Sequence, residues 1–478
     1  MEVQVPPLDL QLQPMLLGHL GGLALLGGHL MVPPVRYSRL REGMRTATEG
    51  NANRTDGGRR RYEFFGPGRF GRLCFIFLPR FLFLSYLSLA VTGLLPMSAK
   101  KIIGPDFVTS WAASSLSLNG RPQDVYVQAS QWAAEKTAAH DDELSYFGWF
   151  YPPTALVVDL PLALIPYRWS LLVWLLVTLA AYCAVIWAII PDSDALWIAL
   201  AFPGTLLNAL AGQNGFLTTA LFGAGLVLLR KKPLHAGVMF GLLTFKPQVG
   251  VLVPLVLIAT RRWRAFAAAA CTALAFAAIS LLMFGIGTWA AFLRSVPVTT
   301  HQLLEEGGIG FGKMQSVFAG IRLLGVGSLT AYAVQLAAEL ISGAITVIIW
   351  QAQGVRFDIK AAALAAGTLL MTPYMVDYDL VLLALPIAWM VRDGMRRGFL
   401  PWEKPILFMT WMLPLFARWL ALSASIPLSP IVITILLACI ARRAIFFSRE
   451  RTLRTSICRA PGQPVAERRP GAAPARIS

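Results

Sequence analysis

The sequence is poor in charge, poor in cysteine and without a glycine-rich phosphate loop. Charged residues make up 14% of the 478 residues, against about 25% in an ordinary soluble domain. That deficit excludes a water-soluble globule of usual composition. The five cysteines are scattered, with no Cys-x-x-Cys pair and no spacing that makes a disulfide framework. Cys74, Cys183, Cys271 and Cys439 lie in apolar runs, where they read as small packing residues, and Cys458 lies in the tail. No Walker-type loop is present, so ATP-driven transport has no support. No metal motif stands out either; Asp192-Ser193-Asp194 offers two carboxylates, too few for a site. No cofactor is expected. The apolar runs do not alternate with polar residues, which argues against a membrane barrel.

What the chain has is apolar length. Runs of 13 to 25 residues recur between positions 73 and 441, and a helix needs about 20 residues to cross the hydrocarbon core. The composition predicts an all-α integral membrane protein, a polytopic helical bundle of about 12 spans with short broken helices. The net charge of +17 does not point to nucleic acid, because the cations cluster at the ends of apolar runs. Arg59-Arg60-Arg61, Arg230-Lys231-Lys232, Arg261-Arg262-Trp263-Arg264, the 392–397 segment and Arg442-Arg443 follow the positive-inside pattern. They face the cytoplasm in this reading, with both termini, and can meet anionic membrane lipid. Three regions follow: an N-terminal extension, 1–68, rich in Gly, Pro and Arg; a membrane domain, 69–445; and a basic tail, 446–478, whose composition reads as disordered. Met44 is an alternative start.

The first span is expected at 73–97, interrupted near its cytoplasmic end by Pro79 and Arg80. The segment after it, within 98–153, carries six acidic and four basic residues up to Phe150, an excess that fits the external side. A short apolar piece, 154–165, reaches only ~18 Å as a helix and reads as re-entrant or interfacial. Spans are expected at 169–190, 195–210 and 216–229, with Gly212-Gln213-Asn214-Gly215 as an external turn. The apolar stretch 234–260 is broken at Lys246-Pro247 and flanked by basic clusters. It reads as a hairpin of two ~20 Å arms whose tip stops inside the membrane thickness. A span is expected at 265–284, then a long external loop, 285–328. Further apolar runs lie at 329–350, 361–372, 380–391, 402–422 and 427–441.

On this topology the polar groups gather on one face. Asp106 sits in Gly104-Pro105-Asp106-Phe107, just beyond the first span. A base for a lipid-linked substrate belongs there, in water near the headgroups. The competing reading is a loop aspartate that caps a helix over 107–118. Lys246, at the hairpin tip, suits a phosphate or diphosphate as a point charge; snorkelling or pairing with an aspartate explains it equally. Asp377 and Asp379 suit sugar hydroxyls, a pair with Lys246, or a helix cap. Gln213 and Asn214 suit sugar or phosphate, or a plain turn. Trp111 and Tyr151 suit stacking on a sugar ring, or an interfacial aromatic belt. Tyr374 and His301 complete the external set, His301 as its weakest member. Ionisable groups inside a membrane are functional hypotheses by default.

In order along the chain, Asp106-Phe107 with Trp111 and Ala113, then Gly120, Val125-Tyr126, Tyr151-Pro152-Pro153, Gly212-Gln213-Asn214 and Leu243-Thr244-Phe245-Lys246-Pro247 resemble glycosyltransferase family 87. The resemblance covers about 70–440. It implies an integral membrane enzyme of the GT-C class, a polyprenyl-phosphate sugar donor, often mannose, and a lipid-linked or glycan acceptor. It implies inverting transfer on the external face of the cell membrane, with Asp106 at the position of the catalytic aspartate. The late external motif of mannosyltransferases in this group can carry histidine, whereas here the segment from Tyr374 to Asp379 has none.

A transporter or flippase for a lipid-linked sugar or small anion is the competing class. It also uses broken helices and a buried lysine, but has no need of an external segment bearing a carboxylate and aromatics. The topology is directly testable. Cysteines placed at Asp124 or Glu305 are expected to react with an impermeant thiol reagent from outside, and cysteines at Lys232 or Arg396 are not. External labelling at position 232 overturns the hairpin and the shared face together.

Overall fold

The computed structural model describes residues 79–81, 84 and 104–458, the last ten by backbone alone. The expected span at 73–97 therefore lies outside the described residues, apart from short helical pieces at 79–81 and 84. The extension 1–68 lies outside them entirely.

The polar segment folds first, as α1 (Phe107–Leu118), a 3-10 turn (Pro122–Tyr126) and α2 (Gln128–Ala139). Glu135 locks the following loop to α2. Its buried carboxylate accepts the backbone N–H groups of Phe147 and Gly148, each at 3.0 Å, and the Gln131 amide at 3.2 Å. Burial pushes its pKa up to about 7 against those donors, which favour the ionised form. The short apolar piece is α3 (Pro153–Asp159), continued by a 3-10 turn (Leu160–Leu164).

α4 (Tyr167–Ile189) is a full-length apolar helix. α5 (Ser193–Leu200) and α6 (Pro203–Ala211) form one path bent by 53°. Pro203 at the first turn of α6 cannot donate back into α5, so the ladder breaks there. α7 (Gly215–Leu228) follows the Gly212–Gly215 turn. The broken hairpin consists of α8 (Pro233–Leu242) with a 3-10 turn (Leu243–Phe245), then α9 (Pro247–Gly250) and α10 (Leu252–Ala259). Lys246 is the non-helical residue between the arms, at φ −137° and ψ 70°, an extended geometry that a following proline enforces.

α11 (Trp263–Thr300) corrects the expected long loop. Gly285 has φ 77° and ψ 166° and kinks the helix without ending it. The helix resumes through Thr300 and closes in a π-turn (His301–Glu305). Beyond the kink, Phe292 packs on Tyr126 of the polar segment, ring centroids 5.7 Å apart, so this length is used for packing. The loop proper is 306–316, followed by α12 (Val317–Leu323), α13 (Ser328–Gln351) and α14 (Phe357–Thr368). A 3-10 turn (Asp377–Leu383) leads into α15 (Ala384–Arg397), then α16 (Glu403–Ala424) and α17 (Leu428–Cys458). α17 runs past residue 446, where composition puts the start of the tail.

By length and composition five of these helices can cross a membrane: α4, α11, α13, α16 and α17, with the bent α5–α6 pair as a sixth. That is half of the expected 12 or fewer. The other apolar runs make helices of 14 residues or less, at most ~21 Å long, because proline or the Lys246 break cuts them. Among the described residues the one isolated extended pairing is an antiparallel bridge between Met314 and Val376.

α8 lies against α11 through small residues. A Cβ on Gly237 would stand 2.4 Å from the Ala265 carbonyl, and one on Gly241 would stand 2.5 Å from Thr272 Cβ. Close backbone approach of this kind drives helix association where lipid supplies no hydrophobic force. Gly237→Val is expected to destabilise the purified protein by about 1–3 kcal/mol through overpacking, read as a lower unfolding temperature in detergent. Gly250→Ala, where the nearest atom stands at 3.7 Å, is expected to be nearly neutral.

Candidate functional site

Asp106 stands at the N-cap of α1, but its side chain makes no capping hydrogen bond. The capping reading of this residue therefore fails. The backbone is anchored instead: Asp106 N donates to the Ala211 carbonyl at 3.1 Å, and Tyr167 Oη donates to the Gly104 carbonyl at 2.9 Å. Gly104 and Gly212 both have positive φ, 65° and 72°. A Cβ on Gly212 would lie 2.7 Å from Phe107 Cβ, so glycine is what lets the 212–215 turn rest on the start of α1.

The Asp106 carboxylate faces Lys313, whose Nζ lies 3.3 Å from both oxygens. Lys313 was not among the sequence candidates. It sits in loop 306–316, and only backbone pairing with a distant loop aims it. Met314 bridges Val376, Gln315 N donates to the Met375 carbonyl at 2.8 Å, and Asp377 N donates to the Lys313 carbonyl at 3.1 Å. No local signal marks such a residue; the charge within a Gly-rich turn was the only hint. Arg418, from the apolar α16, is the second omission. It pairs with Asp377 at 3.2 Å. Burial raises the Asp377 pKa, with Lys313 and Arg418 pulling it back down.

One layer further in, Lys246 is 2% exposed and donates to Asp379 Oδ1 at 2.5 Å and Asn214 Oδ1 at 3.0 Å. The other Asp379 oxygen accepts Val376 N at 3.2 Å. The Tyr378 ring lies between the two lysines, its centroid 5.2 Å from Lys246 Nζ and 6.0 Å from Lys313 Nζ, within cation–π range. Tyr151 Oη donates to Gln213 Oε1 at 3.2 Å, and Asn208 Oδ1 holds the turn by accepting Gly215 N at 2.8 Å. The hairpin break is held by α3, where Thr154 Oγ1 donates to the Thr244 carbonyl at 2.9 Å.

Asp106, Tyr151, Gln213, Asn214, Lys246, Asp377 and Asp379 thus form one contiguous polar cluster. Three expected members stand apart. Trp111 donates from Nε1 to the Ile165 carbonyl at 3.1 Å and packs edge-on against Tyr167, so it fastens α1 to the turn after α3. His301 is exposed and pairs with Glu305 at 2.8 Å and Glu306 at 3.2 Å, beyond the site at the end of α11. Tyr374 is at the margin. Its hydroxyl shares a 2.8 Å hydrogen bond with Thr300, and it lines a small cavity with Asp379.

The Lys246 geometry bears on its expected role. Its ammonium is already neutralised by Asp379 and shut from water, so its field is spent within the fold. Lys313 keeps 24% of its side chain exposed and Arg418 keeps 36%. These are the cations of the cluster that an incoming anion can reach. Among the described residues no group of three or more potential metal ligands occurs.

The model of glycosyltransferase family 87 matches residues 149–373, a little under half of the chain. The match bears out the family resemblance, and with it glycosyltransferase as the class of this membrane enzyme. The matched stretch includes Tyr151, the 212–215 turn, Lys246 and Lys313, and stops short of Asp106 on one side and of Tyr374 to Asp379 on the other. No curated protein and no solved structure matches the chain.

Lys246→Met leaves Asp379 buried without its counter-charge. Breaking such a pair from one side costs about 3–5 kcal/mol, so a clear drop in unfolding temperature is expected. Adding Asp379→Asn to the same chain is expected to recover much of it. Equal stability of Lys246→Met and wild type would show that the pair does not hold the cluster.

Proposed function

We propose that the enzyme transfers a sugar, mannose or another hexose, from a polyprenyl-phosphate donor to a lipid-linked or glycan acceptor, on the external face of the cell membrane and with inversion. The observation that carries this reading is the state of Asp106. It is a carboxylate at the rim of a membrane bundle, free of any capping duty and opposed by one mobile cation, Lys313.

A phosphate-linked sugar already carries its leaving group, so no nucleotide is needed. The acceptor hydroxyl approaches the anomeric carbon and gives its proton to Asp106 as the new C–O bond forms. The bond from the anomeric carbon to the phosphate oxygen breaks, and its electron pair leaves with the phosphate. One displacement inverts the centre. The departing phosphate gains charge, and Lys313 with Arg418 is suited to meet it. When the phosphate draws Lys313 away, Asp106 is released as a base. Lys246 then acts on the phosphate through the frame it builds with Asp379 and Asn214, under Tyr378. Tyr151, Gln213, Asn214, Asp377 and Asp379 are the groups suited to sugar hydroxyls. Trp111, Tyr374 and His301 contribute from outside the cluster, if at all, by shaping the approach of the acceptor.

The experiment is transfer in proteoliposomes with a labelled polyprenyl-phosphate hexose. Asp106→Asn is nearly isosteric but cannot take the proton. General-base catalysis is worth about 10² to 10⁴ in rate, so turnover is expected to fall at least about a hundredfold while the donor still binds. Wild-type turnover in this variant would remove Asp106 from the chemistry. Label that crosses the bilayer without joining an acceptor would favour the transporter reading.

A further inference from the structure

A second charged assembly lies at the other end of the bundle, and the chemistry above does not use it. α4 connects the two. Its first residue, Tyr167, bonds the Gly104 carbonyl beside Asp106, and the carbonyl of its last, Ile189, accepts Arg392 Nη1 at 3.1 Å. The 23 residues of α4 span ~34 Å, the thickness of a hydrocarbon core.

Three aromatic rings form a ladder there. Trp350 and Phe357 stand edge to face at 5.8 Å, and Phe357 and Trp389 do the same at 5.8 Å. An arginine lies over each ring: Arg262 over Trp350 at 5.6 Å, Arg230 over Phe357 at 5.8 Å and Arg392 over Trp389 at 4.6 Å. The rings hold the three guanidinium groups in a row. Lys360 joins them, its Nζ donating to the Trp350 carbonyl at 2.7 Å.

The countercharge is short. Asp358 is shared among Arg356, Arg392 and Arg396, at 3.0, 3.2 and 3.6 Å. Asp393 is already taken by Arg356, Arg397 and Arg443, and Glu403 by Arg443. Among the described residues no carboxylate pairs with Arg230, Arg262 or Lys360. Hydrogen-bond donors are in excess too. Arg262 Nε, Arg392 Nε, Trp350 Nε1 and Trp389 Nε1 are buried without an acceptor, and both tryptophans are only 2% exposed. Buried donors are normally satisfied. Burial and the neighbouring Arg230 charge lower the Arg262 pKa, as expected for cations crowded without an anion. The positive-inside tendency explains basic residues in loops. It does not explain their convergence from four separate segments onto one ring ladder with orphaned donors.

We propose that the Trp350–Phe357–Trp389 ladder, with Arg230, Arg262 and Arg392 over its rings, is a binding site for a phosphate-bearing anion. Planar guanidinium groups match phosphate oxygens in pairs, and each basic group near an anionic lipid surface adds about fivefold to binding. The phosphate can belong to an anionic lipid headgroup or to a soluble phosphate.

The test is native mass spectrometry of the purified full chain, titrated separately with phosphatidylglycerol, phosphatidylcholine and inorganic phosphate, for wild type and for Arg230→Gln/Arg262→Gln. Arg230 is exposed and Arg262 lies in a loop, so the fold is expected to persist; Arg230→Gln alone serves as the milder variant. Phosphatidylglycerol is expected to be retained over phosphatidylcholine, and retention to fall about thirtyfold in the double variant. Binding of inorganic phosphate that is lost in the same variant would make the ligand a soluble phosphate at the same site. Equal retention of both lipids together with no phosphate binding, or phosphatidylglycerol retention unchanged by the two substitutions, overturns the proposal.

Discussion

The buried contact of Lys246 with Asp379 and Asn214 is what the candidate site depends on. It joins three segments remote in sequence: the turn after α6, the break in the α8–α10 hairpin and the 3-10 turn before α15. A lysine removed from water is costly unless it is paired and hydrogen-bonded, and here both needs are met, by a carboxylate and an amide oxygen. The same contact seats Tyr378 beneath the ammonium and orders the strand-like path 374–379. That path in turn bonds loop 313–315 and aims Lys313 at Asp106. The catalytic geometry is thus set from the inside outward, with the ionic interaction most protected from water at its base and the more exposed Lys313–Asp106 contact at its rim.

Such a layout separates rigidity from chemistry. The inner pair is fixed, and what an incoming anion can change is the outer pair, where Lys313 and Arg418 retain access. At the opposite end of α4 the balance reverses. Cations outnumber carboxylates, aromatic faces rather than anions hold them in place, and buried donors lack acceptors. One end of the bundle has its charges matched within the fold. The other carries an excess that calls for an anion from outside.

The helix breaks were legible because they are local. Pro203, Lys246-Pro247 and the glycines of the 212–215 turn interrupt the backbone ladder wherever they occur, and the structure breaks at each. α1 begins at Phe107 as the sequence suggested, yet Asp106 does not cap it, since its carboxylate has a better-charged partner 207 positions away. Gly285 misled in the other direction. A glycine among apolar residues reads as the end of a span, but the far half of α11 is held helical by its packing on the polar segment. The count of about 12 spans failed for a related reason: apolar runs were taken as lengths of helix, and short broken helices inside a bundle are equally apolar. Trp111 and His301 were grouped with the site because they were expected on the same side of the membrane, which says nothing of distance within that side.

By itself the sequence determined the class of molecule: a charge-poor, helical, membrane-embedded chain whose basic residues gather at helix ends, with a family resemblance that a match over 149–373 bears out. It also determined the shortlist of polar residues, because any ionisable group in such a chain is conspicuous against the apolar background. Only the tertiary structure decided who pairs with whom. Electrostatic partners are set by distance and dielectric, and neither is written along the chain. That is why Lys246 proved to be an internal counter-ion, why Lys313 and Arg418 emerged as the cations open to an anion, and why Asp106 was left with a free carboxylate.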